Sequence, residues 1–329
     1  MKAVVLNEFG GPEKLIYTDV EKPSPVGDEI LVKNVIIGVG KPDYLVRSGN
    51  DPYLEDKLPG LIVGNESAGI VEKVGPDVKD IEVGDHVAVL NGTGCGSHAE
   101  YSCAAERFAI KLPKELPIEK VPGILNLQVA YALLYDIGRG TEGNSLYISG
   151  AAGGIGTTLV QMALDKGMEV ICSASTEEKC EVLRKLGAQH VFNYKEHNEK
   201  EMILEYTNGK GVDLIYDQLA GPQLQEKVDA LADFGMIVLY NWLEGDPQFD
   251  QLDTIIKNAP HAKAIRSFSF HVYDDKTERR LANAQKVFEM IQEGRVTPVV
   301  YKDLPLSEAR LAHELLDSGK VIGKLIMHL

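Results

Sequence analysis

The sequence is poor in tryptophan, cysteine and positive charge. Among 329 residues there are one Trp and four Cys, which excludes a disulfide scaffold. Lys and Arg total 34 against 49 Asp and Glu, a formal net charge of -15. That sign is opposite to the one a general affinity for nucleic acid or an anionic membrane needs. No apolar run reaches the ~20 residues that span a bilayer. The opening Met1-Lys2-Ala3-Val4-Val5-Leu6 reads as a strand and lacks a signal-peptide layout. The expectation is a cytoplasmic protein without nucleic-acid or membrane partners. Fixed-period repeats and low-complexity tracts are also missing. Glycine, in contrast, is plentiful at 32 residues, and the useful question is where it is required.

At ~100–200 residues per domain the length suggests two domains. Residues 1–120 are β-rich. Short apolar runs such as Glu29–Ile37, Gly69–Val74 and His86–Leu90 lie between Gly, Pro and Asp. Pro23, Pro25, Pro42, Pro52, Pro59 and Pro76 argue against long helices here. From about residue 123 the rhythm becomes strand–helix alternation. The expected strands are Leu146–Ser149, Glu169–Ala174, His190–Asn193, Val212–Tyr216, Met236–Tyr240 and Ala264–Phe270. The expected helices are Ile155–Lys166, 176–186, Glu199–Thr207, Gln223–Ala232 and 277–293, with Ser175-x-x-Glu178 at capping-box spacing. This alternation predicts βαβ units and a parallel sheet. Residues 296–329 return to the style of the first part, so the chain end is expected to rejoin it.

Ser149-Gly150-Ala151-Ala152-Gly153-Gly154-Ile155-Gly156 lies between an expected strand and an expected helix. That is the context of a dinucleotide-binding turn: glycines permit a tight bend and close approach of a pyrophosphate, and the helix N-terminus favours the anion. The strict G-x-G-x-x-G is not kept, and a turn that only packs would also fit. At the end of the next strand, Cys172-Ser173-Ala174-Ser175-Thr176 holds no acid to bind a ribose 2′-hydroxyl. Small hydroxyls leave room for a 2′-phosphate, and Lys179 lies one helical turn on, so NADP(H) is favoured over NAD(H).

These residues point to a family. Gly150–Gly156, the segment Gly38-Val39-Gly40-Lys41-Pro42-Asp43-Tyr44-Leu45-Val46-Arg47-Ser48-Gly49, the run Gly64-Asn65-Glu66-Ser67-Ala68-Gly69 and Gly319-Lys320-Val321-Ile322-Gly323-Lys324 resemble, in order and spacing, the zinc-independent medium-chain dehydrogenase/reductases of the quinone oxidoreductase-like branch. The resemblance implies an α/β architecture. A GroES-like β-barrel catalytic domain (1–122 plus 272–329) would carry an inserted Rossmann domain with a doubly wound parallel sheet (123–271). It also implies a homodimer joined near Ile265–Phe270.

By position, Gly153, Gly154, Ile155 and Gly156 would face the pyrophosphate. Ser175, Lys179 and Tyr194 would surround the 2′-phosphate, and Tyr240 and Asn241 would lie near the ribose and nicotinamide. Phe268, Ser269 and Phe270 would flank the nicotinamide. Metal-dependent relatives carry Cys and His where this chain has Gly40 and Asn65, and neither is a usual zinc ligand. Cys95, Cys103, Cys172 and Cys180 lack metal-ligand spacing, so the protein is expected to be zinc-free.

Without a metal the acceptor must be electron-poor already, which suits quinones and α,β-unsaturated carbonyls. Candidates for a catalytic part are Tyr44, Tyr53 and Asp43, with the choice of tyrosine left open. Departures from the family pattern are Gly40, Leu45 and Asp51, together with Asn241 followed by the single Trp242. That Trp reads equally as a pocket wall or as packing between domains. An enoyl-thioester reductase and a weakly catalytic NADPH-binding protein with a structural or regulatory role are the alternatives.

Overall fold

Near-continuous apolar runs broken by Gly, Pro and Asp build the first part of the chain into two sheets. The computed structural model describes residues 1–50, 57–91, 96–247 and 257–329, and they divide into two units, Met1–Leu127 with Ala284–Leu329, and Gln128–Asn283.

In the first unit, β1 (Lys2–Leu6) pairs antiparallel with β2 (Leu15–Asp19) and β4 (Leu61–Ile62). The long β3 (Glu29–Val39) organises the other sheet. It pairs with β5 (Glu66–Val74) and β7 (Tyr101–Ala105), and β5 continues to β6 (His86–Leu90) and β8 (Ala109–Lys111). The period-two alternation buries Ile30, Val32, Val71, Val87 and Val89 in one cluster. The chain end does rejoin this unit: β16 (Lys324–His328) sets Leu325 against Val39 and His328 against Ile36 on β3, and on its other side pairs with β15 (Val300–Pro305).

One element was not expected here. Lys41–Ser48 forms the short helix α1, which leaves the prolines' exclusion of long helices intact. Proline in a first turn lacks only an N–H that has no intrahelical partner anyway, so Pro42 starts the helix. Helix α2 (Ile124–Tyr131) runs into a wider-wound stretch, Ala132–Ile137.

The second unit is a parallel sheet. In chain order it comprises β9 (Ser145–Ile148), α3 (Gly154–Asp165), β10 (Glu169–Ala174), α4 (Glu177–Lys185), β11 (His190–Asn193), α5 (Glu199–Tyr206), β12 (Val212–Asp217), α6 (Leu224–Asp229), β13 (Leu231–Leu239) and β14 (Ala264–Ser267). The strand order is β11-β10-β9-β12-β13-β14. Succession runs outward from β9 to β11, then returns to β12 on the other side of β9, so a topological switch point lies between β9 and β12. Open α/β sheets bind ligands at the carboxyl ends of strands at such a point. Tyr147, Ile171, Ile215 and Ile237, one from each central strand, share a fully buried core.

Some expected bounds shift. The helix read as Gln223–Ala232 stops at Asp229, because Leu231 already pairs with Val212 in the sheet. The strand read to Phe270 ends at Ser267, where pairing with β13 ends. The expected domain limits at 122/123 and 271/272 fall at 127/128 and 283/284. Glu66 binds the Leu125 backbone N–H (2.8 Å), and Asp136 gathers Tyr273, Arg279 and Asn283, so residues 123–127 stay with the first unit and 272–283 with the second. The final helices are α7 (Thr277–Gln292) and α8 (Ala309–Asp317).

Candidate functional site

The glycine-rich turn sits where β9 meets α3, pinned from both neighbouring strands. The Gly150 N–H donates to Ser173 Oγ (3.3 Å) and the Ala151 N–H to the Ser173 carbonyl (2.7 Å) on β10. On the β12 side, Ser149 Oγ donates to Asp217 and Gln218 Nε2 to the Gly150 carbonyl. A Cβ on Gly156 would lie 2.3 Å from the Ala151 carbonyl oxygen, so only glycine lets the helix close onto the turn. At Gly153, the N-cap, a Cβ would meet nothing within 4 Å. The first N–H groups of α3, Gly154, Ile155 and Gly156, have no partner within the helix. Open space at Gly153 in front of these donors and a helix dipole fits a pyrophosphate.

Beneath the turn lies a buried ionic cluster that the sequence reading missed. Lys227 Nζ is 2.9 Å from Asp217 Oδ1 and 3.1 Å from Glu199 Oε2, with all three side chains at most 3% exposed. Asp217 Oδ1 also accepts the Leu219 N–H (3.0 Å). Burial opposes charge on Lys227, but Asp217 and Glu199 together hold its pKa above the ordinary value, while burial raises that of Glu199. The available signal was Asp217 closing β12 directly after the apolar Leu214-Ile215-Tyr216, a poor strand residue kept for a partner.

At the ends of β10 and β11 three expected residues converge. Lys179 Nζ donates to Ser175 Oγ (3.3 Å). Tyr194, half-buried, reaches Ser175 through its side chain, and its N–H donates to the Ala174 carbonyl (3.0 Å). Burial pushes the Lys179 pKa down and that of Tyr194 up. The helix cap differs from expectation: Thr176, not Ser175, accepts the Lys179 N–H through its side chain (3.3 Å). Ser175 therefore remains outside the cap with its hydroxyl turned to Lys179. An ammonium and two hydroxyls at one place match the donor needs of a phosphate monoester.

Tyr240 and Asn241 follow β13. The Tyr240 N–H donates to the Asp217 carbonyl (3.0 Å), and its hydroxyl is buried with no partner among the described residues. Asn241 Oδ1 accepts the Trp242 N–H (3.0 Å), and Trp242 is half exposed. Phe268 is buried and its N–H donates to the Leu239 carbonyl (2.8 Å), whereas Ser269 is exposed and Phe270 opens a short 3-10 turn.

In the first unit the structure gives Asp43 a capping position. At 1% exposure, it accepts the Gly40 N–H on Oδ2 (2.7 Å) and the Asn65 N–H on Oδ1 (2.9 Å). As a catalytic candidate it is thus withdrawn from solvent with both oxygens engaged. Burial raises its pKa, opposed by His98 (Nε2 at 3.8 Å) and Lys324. Gly40 and Asn65, the positions of metal ligands in metal-dependent relatives, meet across this carboxylate. Lys324, paired with Glu66, would lie 3.1 Å from a Cβ on Gly40. Tyr44 is half-buried on α1 with the Lys41 ammonium 3.9 Å from its ring centre. Tyr53, Asp51 and Cys95 lie outside the described residues. Among the described residues no group of three or more His, Cys, Asp and Glu is arranged to hold a metal ion, and no helix is long and apolar enough to cross a membrane.

Residues 27–114 match the family model described as alcohol dehydrogenase GroES-like domain, and residues 154–283 match the model described as zinc-binding dehydrogenase. A 2-haloacrylate reductase of Burkholderia sp is 32% identical over 99% of this chain and 98% of its own length. Human quinone oxidoreductase is 30% identical over 99% and 97%. The solved structure of Escherichia coli quinone oxidoreductase complexed with NADPH, 27% identical, covers all of both chains with a TM-score of 0.91. The fold is that of an oxidoreductase with a GroES-like unit and a Rossmann-like unit. The chain belongs to the medium-chain dehydrogenase/reductase family, in its quinone oxidoreductase-like branch.

Proposed function

We propose that this protein is a zinc-independent, NADPH-dependent oxidoreductase that reduces a quinone or an activated alkene such as an α,β-unsaturated carbonyl. The observation that carries the reading is the convergence of Ser175, Lys179 and Tyr194 at the sheet edge beside the open Gly153 turn. In this reading, Gly153, Gly154, Ile155 and Gly156 receive the pyrophosphate, and Ser175, Lys179 and Tyr194 the 2′-phosphate. Tyr240, Asn241, Phe268, Ser269 and Phe270 lie toward the nicotinamide half. The bound nicotinamide supplies hydride, and the protein contributes position and electrostatics. A relative named for reduction of 2-haloacrylate, an electron-poor alkene, and relatives named for quinones support the acceptor class.

The zinc-independent part rests on side-chain chemistry. Gly40 offers no ligand atom, the Asn65 amide is a poor one, and the Lys324 ammonium approaches the same ground. Tyr44 and Tyr53 are the proposed proton donors. We also propose a homodimer through β14, a sheet-edge strand whose Ala264, Ile265, Arg266 and Ser267 are all exposed.

Stopped-flow loss of NADPH absorbance with a panel of quinones, enones and enoyl thioesters tests the reading. Turnover with quinones or enones supports it. Turnover confined to enoyl thioesters moves the assignment to an enoyl-thioester reductase. Tight NADPH binding without any turnover makes the protein a cofactor-binding protein of structural or regulatory role.

A further inference from the structure

The ion pair between Lys195 and Glu244 is not needed for the fold of either loop that carries it. Lys195 follows Tyr194 directly, and its backbone is fixed because its N–H donates to Asn193 Oδ1 (3.0 Å) at the end of β11. The Asn193 side chain is itself buried and tied to Glu196 (2.8 Å). Glu244 stands on the loop after β13, which folds back onto the end of β12: its N–H donates to the Leu219 carbonyl (2.9 Å), and the Gly221 N–H to the Gly245 carbonyl (3.1 Å). Both loops are thus anchored by their own backbones. The two side chains nevertheless meet at 2.7 Å, with exposures of 58% and 30%. In the sheet, β10 and β9 lie between β11 and β12. The pair therefore bridges the carboxyl ends of the two strands whose following turns hold Ser175 and Gly150–Gly156. The Lys195 ammonium also lies 4.8 Å from the centre of the ring of Tyr194, itself a member of the proposed 2′-phosphate cradle.

We propose that Lys195 is a second cation for the 2′-phosphate of NADP(H), and that Glu244 is its internal competitor, surrendering Lys195 when the phosphate arrives. The inference rests on the reading of Ser175, Lys179 and Tyr194 as the 2′-phosphate cradle. A dianionic phosphate between two ammonium groups is a stronger partner for Lys195 than one carboxylate, and Glu244 would otherwise repel it. Glu244 then tempers the affinity for NADPH and leaves NADH, which lacks the phosphate, unaffected.

Calorimetric titration of the full chain with NADPH and with NADH, in wild type and in Lys195→Met, Glu244→Gln and Lys179→Met, tests this without reference to turnover. Lys195→Met is expected to weaken NADPH by about tenfold, the worth of one charge-assisted hydrogen bond, with NADH unchanged. Glu244→Gln is expected to tighten NADPH by about threefold with NADH unchanged, through loss of one opposing charge. Lys195→Arg, which keeps the charge, is expected to restore most of the NADPH affinity. Equal effects on both cofactors, or none, in Lys195→Met overturn the proposal. If Lys179→Met still loses NADPH selectively in that case, the cradle stands and only Lys195 is misassigned. If Lys179→Met also leaves the NADPH to NADH ratio untouched, the cradle falls with it. An equal change for the two cofactors in Glu244→Gln overturns the competition and leaves the pair as a loop tether.

Discussion

The carbonyl oxygen of Ala151 lies 2.3 Å from the place a Cβ would take on Gly156, whereas a Cβ on Gly153, three residues earlier, meets nothing within 4 Å. The two glycines therefore answer different questions. Gly156→Ala drives a side chain into backbone that cannot move aside, and is expected to cost about 2–3 kcal/mol of stability. Gly153→Ala has room and an ordinary φ of -80, and is expected to leave the melting temperature unchanged while weakening NADPH by about tenfold. Thermal melts and cofactor titration on both variants check this, and wild-type NADPH affinity in Gly153→Ala would remove the pyrophosphate from that position.

Thr176 and Ser175 divide capping from binding in the same way. Thr176→Ala removes the acceptor for the Lys179 N–H and is expected to lower stability by about 1 kcal/mol. Ser175→Ala leaves the cap intact and is expected to weaken NADPH more than NADH. Urea unfolding paired with titration separates the two, and the reverse pattern would mean that Ser175 is the cap after all.

Much of this arrangement was legible in the residues. Period-two and helical spacing located β9 to β13 and α3 to α5, and the glycine-rich run located the turn, because those signals are local. Cys172–Thr176 holds no acid, and the spacing set Lys179 one helical turn on, where it meets Ser175. What escaped were relations set by tertiary contact. The prolines speak only against long helices, so the short α1, with Pro42 in its first turn and Asp43 holding the Gly40 N–H, was not foreseen. Asp43 is a catalytic candidate from its place in the sequence, and only the fold reveals that the Gly40 and Asn65 N–H groups bind its two oxygens. The Asp217–Lys227–Glu199 cluster joins residues on three elements, and no spacing rule connects them.

Lys227 makes that cluster tolerable. Lys227→Met leaves the carboxylates of Asp217 and Glu199 buried without their cation, and is expected to cost about 3–5 kcal/mol. Adding Asp217→Asn and Glu199→Gln to Lys227→Met is expected to recover part of the loss, because uncharged amides no longer need it. Chemical denaturation of the single and triple variants measures both, and a single variant as stable as wild type would show that the buried charges are not coupled.

Asp136 gives the second unit an acid-sensitive joint. It accepts hydrogen bonds from Tyr273 Oη (2.5 Å), Arg279 Nη2 (2.7 Å) and Asn283 Nδ2 (2.7 Å). Burial works to raise its pKa, but these donors outweigh it and hold the value below 3.8. A carboxyl with a depressed folded pKa stabilises above its unfolded pKa, and the contribution is lost as pH falls through the folded value. Asp136→Ala is expected to lower stability by about 2 kcal/mol at neutral pH and to narrow its gap from wild type as pH falls below 3.8. Melts across that range test it, and a gap that stays constant to the lowest pH would rule out the linkage.

Trp242 gives the molecule a built-in optical gauge. It is the single tryptophan of the chain, half exposed on the loop that begins at Asn241 and holds Glu244. Indole emission from this protein therefore reports one location and needs no unmixing. Reduced nicotinamide absorbs where indole emits, so arrival of a reduced cofactor near this loop would be timed through one natural fluorophore without a label.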